Sequence, residues 1–282
     1  MKVAVTSVSG QLGSAIAQQL ISKIGKENVV GTARTTSKAE HLGITLLPGD
    51  YNSKSDFVTA FNWIDVVMIL SGMDAPERRV EQHRNIIHAA RDADVRKIVY
   101  TSIVGDDGNS TFDAIVQSNR QTEQDIRKSG LEWSIGRNGL YIEPDVEYME
   151  TYKKDGKIAN CASDGLCSYT TRNELAYAYA QMMLNDDRNS QTFNLTGEAI
   201  TQLQLTGYLN STFGTDLVYE EMTPETYLAF QQKVNGEFLG KIIAGIYTKI
   251  RNGEFNIQSD FKAAAGRNHL TWEDYFNTLK QS

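Results

Sequence analysis

Cysteine is nearly absent: the 282 residues hold two, Cys161 and Cys167, too few for a disulfide framework. Five residues separate them, which is not the Cys-x-x-Cys spacing of a redox pair. Proline is scarce too, with four, and with 22% charged and 40% hydrophobic residues the chain has a globular, not a disordered, composition. No uninterrupted apolar run approaches the ~20 residues that a membrane-spanning helix needs. Basic charge is not in excess. Lys and Arg number 28 against 35 Asp and Glu, a net charge of −7, which argues against nucleic acid or anionic lipid held through bulk charge. Met1 to Thr6 runs straight into a strand pattern, leaving no room for a signal peptide, so a cytoplasmic protein is expected. Composition leaves the oligomeric state open.

What is present is an alternation. Short apolar runs at 2–6, 29–33, 44–47, 65–70, 98–102 and 132–136 read as strands. Between several of them lie stretches of helical period. Leu12, Ile16, Leu20 and Ile24 share one face of a first helix, and Val80, His83, Ile87 and Ala90 share a stripe on another, over 77–93. A further helix is expected over 113–128. Units of about thirty residues predict an α/β fold, a doubly wound parallel sheet covered on both faces, with ligands along the strand C-termini. From Leu140 the pattern weakens. Lys153 to Lys157 reads as a surface turn, 192–195 and 217–219 as short strands, and Leu203, Leu205, Tyr208 and Leu209 as an amphipathic segment. A dinucleotide-binding domain over 1–140 and a smaller, partly discontinuous α/β cap over 141–282 are expected, with about 168–197 returning to the main sheet.

The turn after the first strand keeps Gly10 and Gly13. Glycines there admit close backbone approach to a phosphate and tight packing of the following helix, whose N-terminus favours an anion. A purely structural turn has the same two residues, so its place between strand and amphipathic helix carries the reading. Arg34 stands at the end of the second strand, with no acidic residue in 31–38. An arginine in that position pairs with the 2′-phosphate of NADP(H), where an acidic residue would accept the 2′-hydroxyl of NAD(H). The alternative is a solvated surface arginine.

These residues, together with Gly49-Asp50-Tyr51, Gln82-His83-Arg84-Asn85, Ile98 to Ser102, Arg137 to Tyr141 and Thr171 to Ala176, resemble the NmrA-like branch of the atypical short-chain dehydrogenase/reductases. The likeness is to its quinone-reducing and triphenylmethane-dye-reducing members. It spans nearly the whole chain and is weakest after about Gly197. The resemblance implies a Rossmann-like fold with a C-terminal substrate region, and NADPH as cofactor. It also implies that Thr6, Ser7, Val8, Ser9, Gly10, Gln11 and Leu12 hold the pyrophosphate and Arg34 the 2′-phosphate. Asn138, Gly139, Leu140, Tyr141 and Ile142 would lie beside the nicotinamide. Ser71, Gly72 and Met73 would line the same edge, and Arg172 is a further candidate contact. The chain departs from the pattern twice. Its loop begins Ser7-Val8-Ser9-Gly10 where the family has Gly-Ala-Thr-Gly, and Asn119 stands where those reductases carry histidine. If the first loop position needs positive φ, serine there is costly.

The wider superfamily uses Tyr-x-x-x-Lys as its acid–base pair; counted from Glu123, the equivalent positions are Ile115 and Asn119. Carbonyl reduction and sugar epimerisation are disfavoured without it. A quinone or a cationic triarylmethane dye accepts hydride without a positioned acid. Two readings follow: a reductase of quinones or similar conjugated aromatic electrophiles, or a protein that senses NADP(H) without turnover. Tyr141, Tyr148, Met149 and Tyr152 could wall a flat substrate, Tyr141 closest to the nicotinamide. His83 is expected to pack rather than catalyse, and no histidine has a metal-ligand set around it. Asp50 fits either an adenine contact or a turn.

Overall fold

Runs that are apolar at every position must be covered on both sides. In the computed structural model, which describes residues 1–105, 108 and 111–280, the first such run, Val3–Val5, is buried throughout, and so is Val66–Ile69. In chain order the elements are β1 (Val3–Val5), α1 (Gln11–Ile24), β2 (Val29–Ala33), β3 (Thr45–Pro48), α2 (Lys54–Ala60), β4 (Val66–Ile69) and α3 (Pro76–Asp92). Next come β5 (Lys97–Ile103), α4 (Thr111–Arg127), β6 (Glu132–Asn138), α5 (Glu143–Glu147), α6 (Met149–Asp155), β7 (Lys157–Asn160) and β8 (Cys167–Ser168). The chain continues through α7 (Arg172–Leu184), β9 (Gln191–Leu195), β10 (Ala199–Ile200), α8 (Gln202–Phe213), β11 (Val218–Glu221), α9 (Pro224–Arg251), α10 (Phe261–Ala265) and α11 (Trp272–Leu279).

Seven parallel strands form the main sheet in the order β3-β2-β1-β4-β5-β6-β9. The chain reverses direction across the sheet between β1 and β4, which opens a crevice at their C-terminal ends. One face is covered by α1 and α7 through Ile16, Leu20, Leu175 and Met182, the other by α2 and α3 through Phe57, Phe61, Ile86 and Ala90. This is the doubly wound Rossmann-like architecture. A third apolar cluster, with Phe112, Ile142, Tyr169, Leu205 and Trp272, joins the start of α4 to the later elements. The later strands make two small pairs, β8 with β10 and β7 with β11, whereas β9 returns to the main sheet beside β6.

Two local readings change. Lys153 to Asp155 end α6 and Lys157 starts β7, so only Gly156 turns; the lysines read as loop because their amphipathic helix is a mere seven residues long. Leu203 is 67% exposed, and α8 packs through Leu205 and Leu209 instead. The helix α2 has no counterpart in the sequence reading. Ser53 caps its first turn, accepting from the Asp56 amide.

Candidate active site

The seven parallel strands deliver their C-termini to one edge, and the connections after β1, β2, β4 and β6 carry the candidate residues. After β1, Ser7 has φ of 50°, the left-handed region, so the position that calls for glycine is occupied by a strained serine. A shared hydroxyl network offsets this. Tyr51 donates to the Leu70 carbonyl at 2.7 Å and therefore accepts from Thr6 Oγ1 at 2.7 Å and from Ser7 Oγ at 3.0 Å. Thr6 Oγ1 in turn accepts from the Leu70 amide at 3.0 Å. Every proton in this ring of bonds has one acceptor. Burial pushes the Tyr51 phenol up to about 12, so it stays a donor across the ordinary pH range.

The turn itself is built for close approach. A Cβ on Gly13 would lie 2.5 Å from the Ser7 carbonyl oxygen, so α1 can pack on the turn only with glycine there. A Cβ on Gly10 would meet that same oxygen at an ordinary 3.4 Å. The fold does not need Gly10 bare; only something outside the turn would. No side chain caps α1 and no acid lies in its first turn, which leaves its leading N–H groups for an anion. Val8 is buried, and Ser9, Gly10 and Gln11 are exposed above it, with Leu12 tucked under. At the end of β2, Arg34 is exposed and, among the described residues, makes no ion pair. These features fit the pyrophosphate and 2′-phosphate of NADP(H).

The connection after β4 is held by side chains from β5, α3 and α4. The Ser71 amide donates to Thr101 Oγ1 at 2.7 Å, and the Gly72 amide to His83 Nε2 at 2.9 Å. Because Nε2 accepts, the His83 proton sits on Nδ1 and goes to Thr122 Oγ1, 2.8 Å away, whose own proton goes to the Ser118 carbonyl. Burial, helped by the nearby Arg79 cation, lowers the His83 pKa to about 3, so the ring is a neutral strut and not an acid. Gln82 donates to Asn52 and Asp74, and Asn85 to the Tyr51 carbonyl. Met73, 94% exposed, projects from this loop. Asp50 Oδ1 accepts from the backbone and side chain of Asn52, a turn role.

Asn119, from α4, is buried at the centre of the edge. Its Oδ1 accepts from Tyr100 at 2.6 Å and from Ser71 Oγ at 3.0 Å, and its Nδ2 donates to the Ile115 carbonyl. The helix carrying it is clamped by Glu123, a fully buried carboxylate. Glu123 takes two bonds from Arg137 at 2.9 and 2.8 Å, with further bonds from Arg120, Arg127 and Ser102, and the arginines hold it below its ordinary pKa. After β6, Asn138 Oδ1 accepts from Tyr179 at 2.5 Å and its Nδ2 donates to Tyr141 at 3.3 Å. Gly139 passes so close that a Cβ would sit 2.6 Å from the Ser168 carbonyl oxygen. Leu140 and Ile142 pair with the Thr170 backbone, and Ile142 is buried. Tyr141 is half-buried beneath the Arg172 guanidinium, 5.4 Å from ring centre to carbon. Arg172 also binds Glu147, so its charge is directed at α5.

The edge thus gathers the residues after β1, β2, β4 and β6, while Arg172 joins through Tyr141. Sequence reasoning missed Tyr51, Tyr100 and Thr101 as organisers. Tyr51 and Tyr100 stand inside matched segments, but the partners that define them lie 19 to 45 residues away. Cys161 and Cys167 are free thiols in the interior.

Comparison with known proteins agrees with this architecture. A family profile described as NAD(P)H-binding matches residues 8–185. Quinone oxidoreductase 2 of Escherichia coli (strain K12) is 27% identical over 236 residues, covering 82% of each chain. An NmrA-like family domain-containing oxidoreductase of Aspergillus flavus is 25% identical, over 81% of this chain and 76% of that one. Among solved structures, Citrobacter sp. triphenylmethane reductase complexed with NADP(H) superposes with a TM-score of 0.89 at 28% identity, covering 99% of both chains. No helix among the described residues is long and apolar enough to cross a membrane.

Proposed function

Because this chain belongs to the NAD(P)H-binding family and is an NAD(P)H-dependent oxidoreductase of the NmrA-like kind, we propose that it passes hydride from NADPH to a quinone or a similar conjugated aromatic electrophile. The observation that carries this reading is the state of Asn119. At the place where a lysine would serve an acid–base pair stands an amide whose oxygen and nitrogen are spent on Tyr100, Ser71 and Ile115. His83, the nearest imidazole, is neutral and engaged at both nitrogens. Such an edge suits an acceptor that needs positioning more than protonation.

NADPH would supply the hydride. The chain's residues would do the rest. The uncapped start of α1 and the Thr6–Leu12 turn would hold the pyrophosphate, and Arg34 would pair with the 2′-phosphate. Ser71, Gly72 and Met73 would border the cofactor from the β4 side, and Asn138 to Ile142 would border the nicotinamide from the β6 side. Tyr141, held by Asn138 and covered by Arg172, would offer its ring to the acceptor. On this reading 1–140 binds the cofactor and 141–282 forms the cap, with 168–197 completing the main sheet.

The deciding experiment follows NADPH oxidation with a panel of quinones and triarylmethane dyes. Turnover with any of them is expected. Tight NADPH binding without oxidation across the panel would point to a sensor instead. Tyr141→Ala should lower kcat/KM for the best acceptor about tenfold or more, and an unaltered value would remove Tyr141 from the site.

A further inference from the structure

Between the last turns of α3 and α4 lies a cavity of about 180 Å³. Arg84, His88 and Arg91 line it from α3, and Asp125, Lys128 and Ser129 from the end of α4. Those turns lead into the starts of β5 and β6, so the cavity sits near the N-terminal edge of the sheet, opposite the strand C-termini. The carboxylates nearby are already engaged. Asp125 accepts from Arg84 Nε at 2.7 Å and from Gln121 at 2.9 Å, and Asp92, which feels the fields of His88 and Arg91, pairs with Lys54. His88, Arg91 and Lys128 are exposed, and among the described residues their side chains make no hydrogen bond or ion pair. Ser129 is 8% exposed. Its Oγ accepts from the Leu131 amide at 3.2 Å, and its own proton has no acceptor among the described residues.

A helix C-terminus carries about half a negative charge, which by itself accounts for a cation in each last turn. It does not account for a shared cavity, or for a buried hydroxyl left with a spare proton. Three cations against one carboxylate line the space, and the two helix ends together subtract only about one unit, so the site stays positive in a chain of net charge −7. We propose that this cavity binds a phosphate-type anion, doubly charged near neutral pH. Arg91 and Lys128 supply the charge, His88 a ring N–H and Ser129 its free hydroxyl proton. The several oxygens of a phosphate can accept from both helices at once, which chloride cannot do. Bonds from His83 to Thr122 and from Arg84 to Asp125 already tie α3 to α4, and the anion adds a third tie. Binding therefore stabilises the folded chain, and it leaves the residues assigned to NADPH untouched. The site stands independently of the hydride-transfer reading.

The test follows thermal unfolding of the full chain in sodium phosphate and in sodium chloride of matched ionic strength. A Kd of about 1 mM is expected for inorganic phosphate. About 20 mM phosphate should then raise Tm by about 3 °C or more over chloride. Saturating NADPH should leave that increment in place, because the two ligands bind at opposite edges of the sheet. Arg91→Ala combined with Lys128→Ala should abolish it, whereas Arg91→Lys combined with Lys128→Arg should retain it. Neither pair should change the KM for NADPH. Broadening of the phosphorus-31 resonance of phosphate by the unaltered chain, with NADPH present, should give the same affinity and needs no variant to fold. Glycerol 3-phosphate separates the two sources of the group: binding tighter than phosphate identifies an organic phosphate ester, and weaker binding the free ion, and either supports the site. Equal Tm in phosphate and chloride would overturn the proposal, as would a full phosphate response in the double alanine variant. So would loss of the response on saturation with NADPH, since phosphate would then be occupying the pyrophosphate turn.

Discussion

At the scale of the residue, Arg34 and Ser7 carry opposite kinds of information. Arg34 does nothing for the fold: it is exposed and makes no ion pair among the described residues. Its removal should therefore be felt by the ligand. Arg34→Ala should raise the KM for NADPH at least tenfold while moving that for NADH much less, because a charge-assisted contact to one phosphate is lost. Equal shifts for both cofactors would refute the assignment. Ser7 is the reverse case, a residue the backbone disfavours and the side chain supports. Ser7→Ala keeps the strain at φ of 50° and discards the bond to Tyr51, so it should destabilise by about 1–2 kcal/mol. Ser7→Gly removes both and should come within about 1 kcal/mol of the original. Urea denaturation of the two variants measures the difference, and Ser7→Gly falling below Ser7→Ala would contradict this account.

At the scale of the element, α4 matters most, since it presents Asn119 to the edge and Thr122 to His83. What fixes its height over β5 and β6 is Glu123, shared among Arg120, Arg127 and Arg137. Glu123→Gln leaves those arginines around a neutral amide. A loss of about 3–5 kcal/mol in stability is expected, read by denaturant titration, together with a higher KM for NADPH as the Ser71 contact loosens. A neutral outcome would mean that apolar packing alone holds the helix. The Gly13 contact does for α1 what Glu123 does for α4, by shape instead of charge.

At the scale of the molecule, acid stability is a contest between two buried groups. The His83 pKa lies near 3 in the fold, below the ~6.5 of a free imidazole, so its contribution is complete above pH 6.5 and is lost as pH falls toward 3. That amounts to about 4–5 kcal/mol at most. Asp145, buried on α5, runs the other way. Its folded value of about 6 exceeds the unfolded one, so the burden it imposes at neutral pH is relieved as pH falls through 6 toward 4. Stability should therefore change little between about pH 6 and 4 and drop below that, where Glu123 also protonates. Asp145→Asn should be more stable than the original at pH 7 and should fall steadily from pH 6.5 downward. Parallel curves for the two proteins would show that Asp145 is not buried.

Local periodicity was enough to give the parallel strands, the two-faced covering and the edge where the strand C-termini gather, because a period of two or of 3.6 is set by neighbours in the chain. Gly10, Gly13 and Arg34 were legible for the same reason: each sits at a fixed offset from a strand end. The sequence also flagged Ser7 as an anomaly and Asn119 as a departure, without saying what either would touch. Only the tertiary structure decided that Tyr51 closes the hydroxyl ring under the turn, that His83 is a neutral strut, and that Asp145 lies buried among tyrosines drawn from residues 148 to 247. Proton sharing and burial depend on partners brought together from distant parts of the chain, and no spacing along the sequence encodes that distance.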